Sequence, residues 1–222
     1  MRECCHIRPQ KLFMGRNYHK KTVCEITLAI ISLGLAIVVL RGGYKNTFVL
    51  AGQSNNVIDE QKGEYWIIFS KETDSQLIET AVGGSSIKQW QPEQQFYQNM
   101  AQKIPPNATA VLFWQGETDA AEGMSSEGYI GYLNTFADQV FNDFGIPTVV
   151  AEIGNDQGVE PDALDNIRNA QHEAWQTNPH ILQGPSFKDL IPDDGVHFKS
   201  KENNRIIADR WIESLKNNGL LK

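Results

Sequence analysis

The run A-T-A-V-L-F-W at residues 108–114 sets the tightest limit on the fold of this chain. It is apolar with almost no alternation, the mark of a strand covered on both faces, and such strands belong to parallel sheets flanked by helices. Further short apolar runs at Phe48–Ala51, Tyr65–Phe69, Leu77–Ala81, Thr148–Ile153 and His180–Gln183 predict strands as well. Helical spacing fills the intervals. Phe96, Met100 and Ile104 mark Glu93–Ile104, and Tyr129, Leu133, Phe136, Val140 and Phe144 mark Ser126–Phe144. Ser125 or Ser126 can cap that helix and Gly145 can end it. Pro161–Thr177 and Lys199–Leu215 complete the set. Strands alternating with helices predict an α/β fold, a three-layer α/β/α sandwich around a parallel sheet. Ligands of such sheets bind beyond the carboxyl ends of the strands. The turns after Ala51, Ala81 and Trp114 therefore share one rim.

The first 45 residues differ from the rest. They carry eight Lys/Arg and two acids, whereas residues 46–222 carry twelve bases and twenty-five acids, a net −13. An acidic globular part argues against a phosphate-backbone partner, which needs clustered cations, and no nucleic-acid binding is expected. Residues 22–40, T-V-C-E-I-T-L-A-I-I-S-L-G-L-A-I-V-V-L, hold one charge, Glu25, and follow Lys20 and Lys21. Nineteen such residues approach the length of a membrane span. No small-residue cleavage site follows. The expected organisation is a basic cytoplasmic tail over 1–21, a transmembrane signal anchor over 22–40, a linker over 41–45 and an extracytoplasmic domain over 46–222. If the segment is cleaved instead, the domain is secreted. Cys4, Cys5 and Cys24 all precede the domain, so no disulfide framework exists within it. His172 and His180 stand without a second ligand cluster, and no metal or cofactor is expected.

Four turns hold groups that can do chemistry. Gly52-Gln53-Ser54-Asn55 follows the first strand, Val82-Gly83-Gly84-Ser85-Ser86-Ile87 the third apolar run, and Gln115-Gly116-Glu117-Thr118-Asp119 the strand ending at Trp114. Glycine lets backbone N–H groups approach a small ligand. The fourth, Asp193-Asp194-Gly195-Val196-His197-Phe198, precedes the last helix. A carboxylate three residues before a histidine can reach its ring and orient it. Asp194 has that spacing, Asp193 reads as solvated, and Glu117 competes as an alternative third member. A hydroxyl, an imidazole, a carboxylate and several donors are the parts of acyl transfer.

Taken in order, G-Q-S-N, G-G-S-S-I-K-Q-W, F-W-Q-G-E-T-D and D-G-V-H-F resemble the blocks of the SGNH hydrolase superfamily. They look most like its sialate O-acetylesterase and acetylxylan esterase-like branch of carbohydrate esterases, in which Q-G-E stands in the third block. The resemblance spans residues 46–222 and implies a flavodoxin-like SGNH fold. It implies a carbohydrate O-acetylesterase working through a covalent acetyl-enzyme, with an acetylated carbohydrate as substrate. Ser54 would be the nucleophile, His197 the base and then acid, and Asp194 the group that orients His197. The oxyanion hole would comprise the N–H of Ser54, that of Gly84 (Gly83 is equivalent by spacing) and the side-chain amide of Gln115. Gln53, Asn55, Trp90 and Glu117 are the candidate substrate contacts. Asn56 stands where the family often has Met and is expected to make the pocket edge more polar. Only twenty-two residues, Asn55–Gln76, separate Ser54 from the third apolar run, which leaves little chain to wall the pocket. A lipase- or thioesterase-like hydrolase, and a carbohydrate-binding module without catalysis, are the alternatives.

Overall fold

The computed structural model describes residues 43–59 and 63–221. The expected tail and anchor over 1–40 lie outside the described residues. Among the described residues no helix is long and apolar enough to cross a membrane.

Five parallel strands form one sheet: β1 (Asn46–Gly52), β2 (Ser75–Glu79), β3 (Ala110–Trp114), β4 (Thr148–Glu152) and β5 (Ile181–Ser186), in the order β2-β1-β3-β4-β5. Phe48 pairs with Leu77 on one side and with Ala110 on the other. β1 and β3 are buried along nearly their whole length, which is why their sequences read as unbroken apolar runs. The chain leaves β1 toward β2 and then returns to the far side of β1 as β3. From their carboxyl ends the chain runs to opposite sides, from β1 to β2 and from β3 to β4, and this switch point is where open α/β sheets hold their ligands.

Six helices cover the sheet: α1 (Tyr65–Thr73), α2 (Gln95–Ala101), α3 (Glu117–Ala121), α4 (Ser126–Phe144), α5 (Pro161–Thr177) and α6 (Lys201–Asn217). α4 and α5 match the expected spans, and Ser125 caps α4 by accepting from Gly128 N–H. One predicted strand is wrong. Tyr65–Phe69 opens helix α1, in which Tyr65, Trp66 and Phe69 are buried while Ile67 and Ile68 are only partly so. Those positions fit one helical face, and a five-residue apolar run does not separate helix from strand. Asp74, left-handed at φ 51°, ends the helix and turns the chain into β2. The second strand begins two residues earlier than expected, at Ser75, so the block-two turn starts at Thr80.

Beneath the rim sits an aromatic cluster. Trp114 stacks on Phe187 at 4.1 Å, Trp66 meets Trp211 at 5.3 Å, and Phe198 lies against Trp114 at 6.0 Å. Phe198 is fully buried, so its burial anchors the loop that carries His197. Gly52 makes the exit from β1 possible. It has φ +118°, and a Cβ there would lie 2.2 Å from the carbonyl oxygen of Trp114. Only glycine lets β1 pass that close to β3, and the next residue, Gln53, donates its N–H to the same carbonyl at 3.0 Å.

Candidate active site

Ser54 opens a single 3-10 turn, Ser54–Asn56, directly after β1. His197 Nε2 lies 3.0 Å from Ser54 Oγ, and His197 Nδ1 lies 3.1 Å from Asp194 Oδ2. The other oxygen, Asp194 Oδ1, accepts the His197 N–H at 2.8 Å, so one carboxylate grips both the ring and the backbone of its own turn. Lys199 Nζ also sits 2.6 Å from Asp194 Oδ2. That ammonium is the main reason the Asp194 carboxyl is held well below the usual range, with the His197 contacts adding to it. Sequence reasoning missed Lys199, although its place two residues after His197 was there to read. Asp193 is not merely solvated. Its Oδ2 accepts from Lys199 N–H, Ser200 N–H and the Asn203 amide, closing the turn ahead of α6.

Ser54, His197, Gln53, Gly83, Gly84, Glu117, Thr118, Ala121, Glu122, Asp156 and Val196 line an open pocket of about 480 Å³. Asp194 stands behind the ring. The N–H of Ser54, at the start of its turn, and the N–H groups of Gly83 and Gly84 have no acceptor among the described residues. Gly84 adopts φ +70°, a turn that suits glycine, and a Cβ there would meet open space.

Four sequence expectations about the pocket need correction. Gln115 is fully buried, away from the pocket lining. Its Nε2 donates to Ser85 O at 3.0 Å and to the Asp119 carboxylate, and its Oε1 accepts from Tyr129 OH at 3.0 Å. An amide committed to those partners has no donor left for a substrate oxyanion. Asp119, a buried acid, captures it, and also takes the Ile87 N–H through both oxygens, at 3.1 and 3.0 Å. Burial pushes the Asp119 carboxyl up to about 6 against the pull of those donors. Trp90 is not a sugar platform. It is fully buried among Phe96, Phe113 and Phe136, with Nε1 donating to Ser85 Oγ at 2.9 Å. Asn55 is not a substrate contact either. At 1% exposure it donates through Nδ2 to Glu117 Oε1 and to Val196 O, both at 3.1 Å. It thus pins the serine turn to the third and fourth turns at once. Asn56 likewise points inward, donating to Ala51 O at 2.6 Å and Leu112 O at 2.7 Å, and does not edge the pocket.

Glu117 does not serve His197, both of whose nitrogens are taken by Ser54 and Asp194. Its Oε1 takes the Asn55 amide, and its Oε2 has no hydrogen-bond partner among the described residues. Burial pushes this carboxyl up to about 7, and nearby Asp156 adds to the rise.

Gln53 remains in the pocket lining, and its amide is oriented. Oε1 accepts from Gly116 N–H at 3.2 Å, from Thr118 N–H at 3.3 Å and from Gln115 Nε2 at 3.4 Å. Those donors fix the oxygen, which leaves Nε2 as the free end, without a partner among the described residues. Away from the pocket, His172 Nε2 pairs with Glu152 at 3.0 Å and His180 Nδ1 with Asp138 at 2.9 Å. Among the described residues no group of His, Cys, Asp and Glu could hold a metal ion.

A hydroxyl bonded to an imidazole, with a carboxylate on the far nitrogen and free donors beside it, can perform nucleophilic acyl transfer. Comparison with known proteins points the same way. No curated protein matches the sequence. Solved structures share the fold at low identity. A protein from Arabidopsis thaliana aligns with a TM-score of 0.62 at 16% identity, over 78% of this chain and 98% of its own. A family 3 carbohydrate esterase from Talaromyces cellulolyticus aligns at 0.61 and 14% identity, over 78% and 97%. A carbohydrate acetylesterase from Xanthomonas citri aligns at 0.58 and 13% identity, over 78% of this chain and 57% of that longer one. The family model for "carbohydrate esterase, sialic acid-specific acetylesterase" matches residues 66–214. The chain belongs to that carbohydrate esterase family.

Proposed function

We propose that the protein removes acetyl groups from carbohydrates through a Ser54–His197–Asp194 triad and a covalent acetyl-enzyme. The observation that carries this reading is the unbroken line from Ser54 Oγ to His197 to Asp194, at 3.0 and 3.1 Å, opening on one pocket. Ser54 Oγ attacks the acetyl carbonyl carbon while His197 Nε2 takes its proton. The tetrahedral oxyanion is held by the N–H of Ser54, the N–H of Gly84 and the Nε2 of Gln53, which takes the part expected of Gln115. His197 then gives the proton to the departing sugar oxygen. Water attacks the acetyl-enzyme with His197 again as base, releasing acetate and restoring the serine.

The lining favours a short acyl group. Among the described residues Ala121 and Val196 are its only aliphatic side chains and no Phe, Tyr, Trp, Leu, Ile or Met lines it, so no run of large apolar side chains is offered to a lipid or thioester tail. The test is acetate release from p-nitrophenyl acetate and acetylated xylosides by wild type and Ser54→Ala. Turnover by the variant at more than about a thousandth of the wild-type rate overturns the triad. A chain-length series peaking at octanoate or longer overturns the acetyl preference. We further propose that residues 22–40 anchor the protein, with the domain outside the cytoplasm. The support is their low charge and basic flank, and release of the protein from membranes by alkaline carbonate would refute it.

A further inference from the structure

The family is described by its action on sialic acid, a sugar whose carboxylate is ionised at every physiological pH. The pocket carries the opposite of what such a ligand needs. We infer that the site takes acetyl esters of uncharged sugars and discriminates against anionic ones, sialates included. The inference rests on the esterase reading above.

Recognition of a sugar carboxylate calls for an arginine fork or a free ammonium. Among the described residues neither a lysine nor an arginine lines the pocket, while Glu122, Asp156 and the buried Glu117 do. Asp156 Oδ1 accepts the Gly158 N–H at 2.8 Å, which holds one carboxylate in place at the rim. Among the described residues, Lys199 and Lys88 near the pocket are spent or set aside. Lys199 is paired with Asp194, and Lys88 is exposed on the turn Ile87–Trp90 outside the lining. The domain as a whole carries the same sign, a net −13 over residues 46–222 that includes these pocket acids. Among the described residues no Phe, Tyr or Trp lines the pocket either. A sugar there is chosen by charge and hydrogen bonding more than by stacking. Thr118 and the two rim carboxylates offer acceptors for neutral hydroxyl groups, a role an anionic sugar cannot use without repulsion.

The magnitude is modest. Two unit charges roughly 8 Å from a substrate carboxylate in a water-like medium together disfavour it about five-fold at low salt, and less as ionic strength rises.

The experiment compares kcat/KM for 9-O-acetyl-N-acetylneuraminic acid with that for its analogue bearing a carboxamide in place of the carboxylate, at low salt and in ~0.5 M NaCl, where screening is nearly complete. Acetylated methyl xyloside is the neutral reference. The amide should be preferred about five-fold at low salt, and the preference should shrink both in high salt and in the double variant Glu122→Gln/Asp156→Asn. Equal or better hydrolysis of the free acid at low salt overturns the inference. So does a preference that survives unchanged in the double variant. p-Nitrophenyl acetate with Ser54→Ala separates the two failures. If the wild type leaves it intact, the esterase reading falls and this inference with it. If it is cleaved through Ser54 while the acid is preferred, only this inference falls.

Discussion

Replacing Gln53 by glutamate probes the oxyanion hole with little disturbance of its frame. The three contacts that hold the Gln53 side chain all use its oxygen as acceptor, from Gly116 N–H, Thr118 N–H and Gln115 Nε2 at 3.2, 3.3 and 3.4 Å. A glutamate oxygen can accept the same three donors. What the change removes is the Nε2 amide group, which has no partner among the described residues and belongs to a side chain lining the pocket. It puts an oxygen there that repels a developing negative charge. Loss of one oxyanion donor costs roughly 10²–10³ in kcat, or about 2.7–4 kcal/mol of transition-state stabilisation, and the added repulsion acts in the same direction. Ground-state binding depends little on that donor, so KM should change far less than kcat. The assay is steady-state hydrolysis of p-nitrophenyl acetate, with thermal unfolding followed in parallel to confirm that the variant is folded. A folded Gln53→Glu variant with kcat within about three-fold of wild type would refute the assignment, since that is far short of the loss of a donor. In that case the donor would have to be sought elsewhere on the rim.

Other outcomes follow from the same geometry. Asp194→Asn should lower kcat by about 10³–10⁴, because an amide can stabilise neither the right tautomer nor the imidazolium; a loss under about ten-fold would mean that Lys199 and the turn alone orient the ring. Glu117 has a folded-state pKa raised from 4.5 to about 7 by burial, so the folded state binds the extra proton and stability should fall as pH rises from about 4.5 to 7, by as much as ~3 kcal/mol. Glu117→Gln should remove that decline while keeping an oxygen for Asn55, and denaturant titrations at about pH 5 and pH 8 that show the same change in both proteins would contradict it. Asn55→Ala leaves Val196 O and Glu117 Oε1 without their shared donor, at a cost of about 1–3 kcal/mol, and should loosen His197 enough to lower kcat with little change in KM. Gly52→Ala cannot be accommodated beside Trp114, and soluble expression of that variant at the wild-type level would argue against the close passage of β1 and β3.

The sheet was legible because both faces of β1, β3 and β4 are covered, so burial wrote itself into the chain as unbroken apolar runs. Tyr65–Phe69 misleads for the same reason, since a helix buried at Tyr65, Trp66 and Phe69 with half-buried isoleucines between gives the same short run. In the site, Asp194 and His197 were readable because i, i+3 spacing within one turn fixes their meeting locally. Gln115, Asn55 and Trp90 were not. Each lies in one of the four sequence blocks, yet its direction depends on which neighbour captures it in the folded core: Asp119 in its own turn and Tyr129 for Gln115, Val196 for Asn55, the ring cluster for Trp90. Which of two glutamines faces the pocket is decided by who captures the other amide, and no motif records that competition.

Ser54 and His197 lie 143 positions apart, and the asparagine beside the serine takes hold of the backbone next to the histidine only once that distant segment has docked. A chain still emerging from the ribosome therefore carries Ser54 without its imidazole partner. The proposed activity therefore requires the arrival of the segment that carries His197 and leads into the last helix. A nascent-chain series halted before and after His197, labelled with a serine-directed phosphonate, would show reactivity appearing only in the longer members.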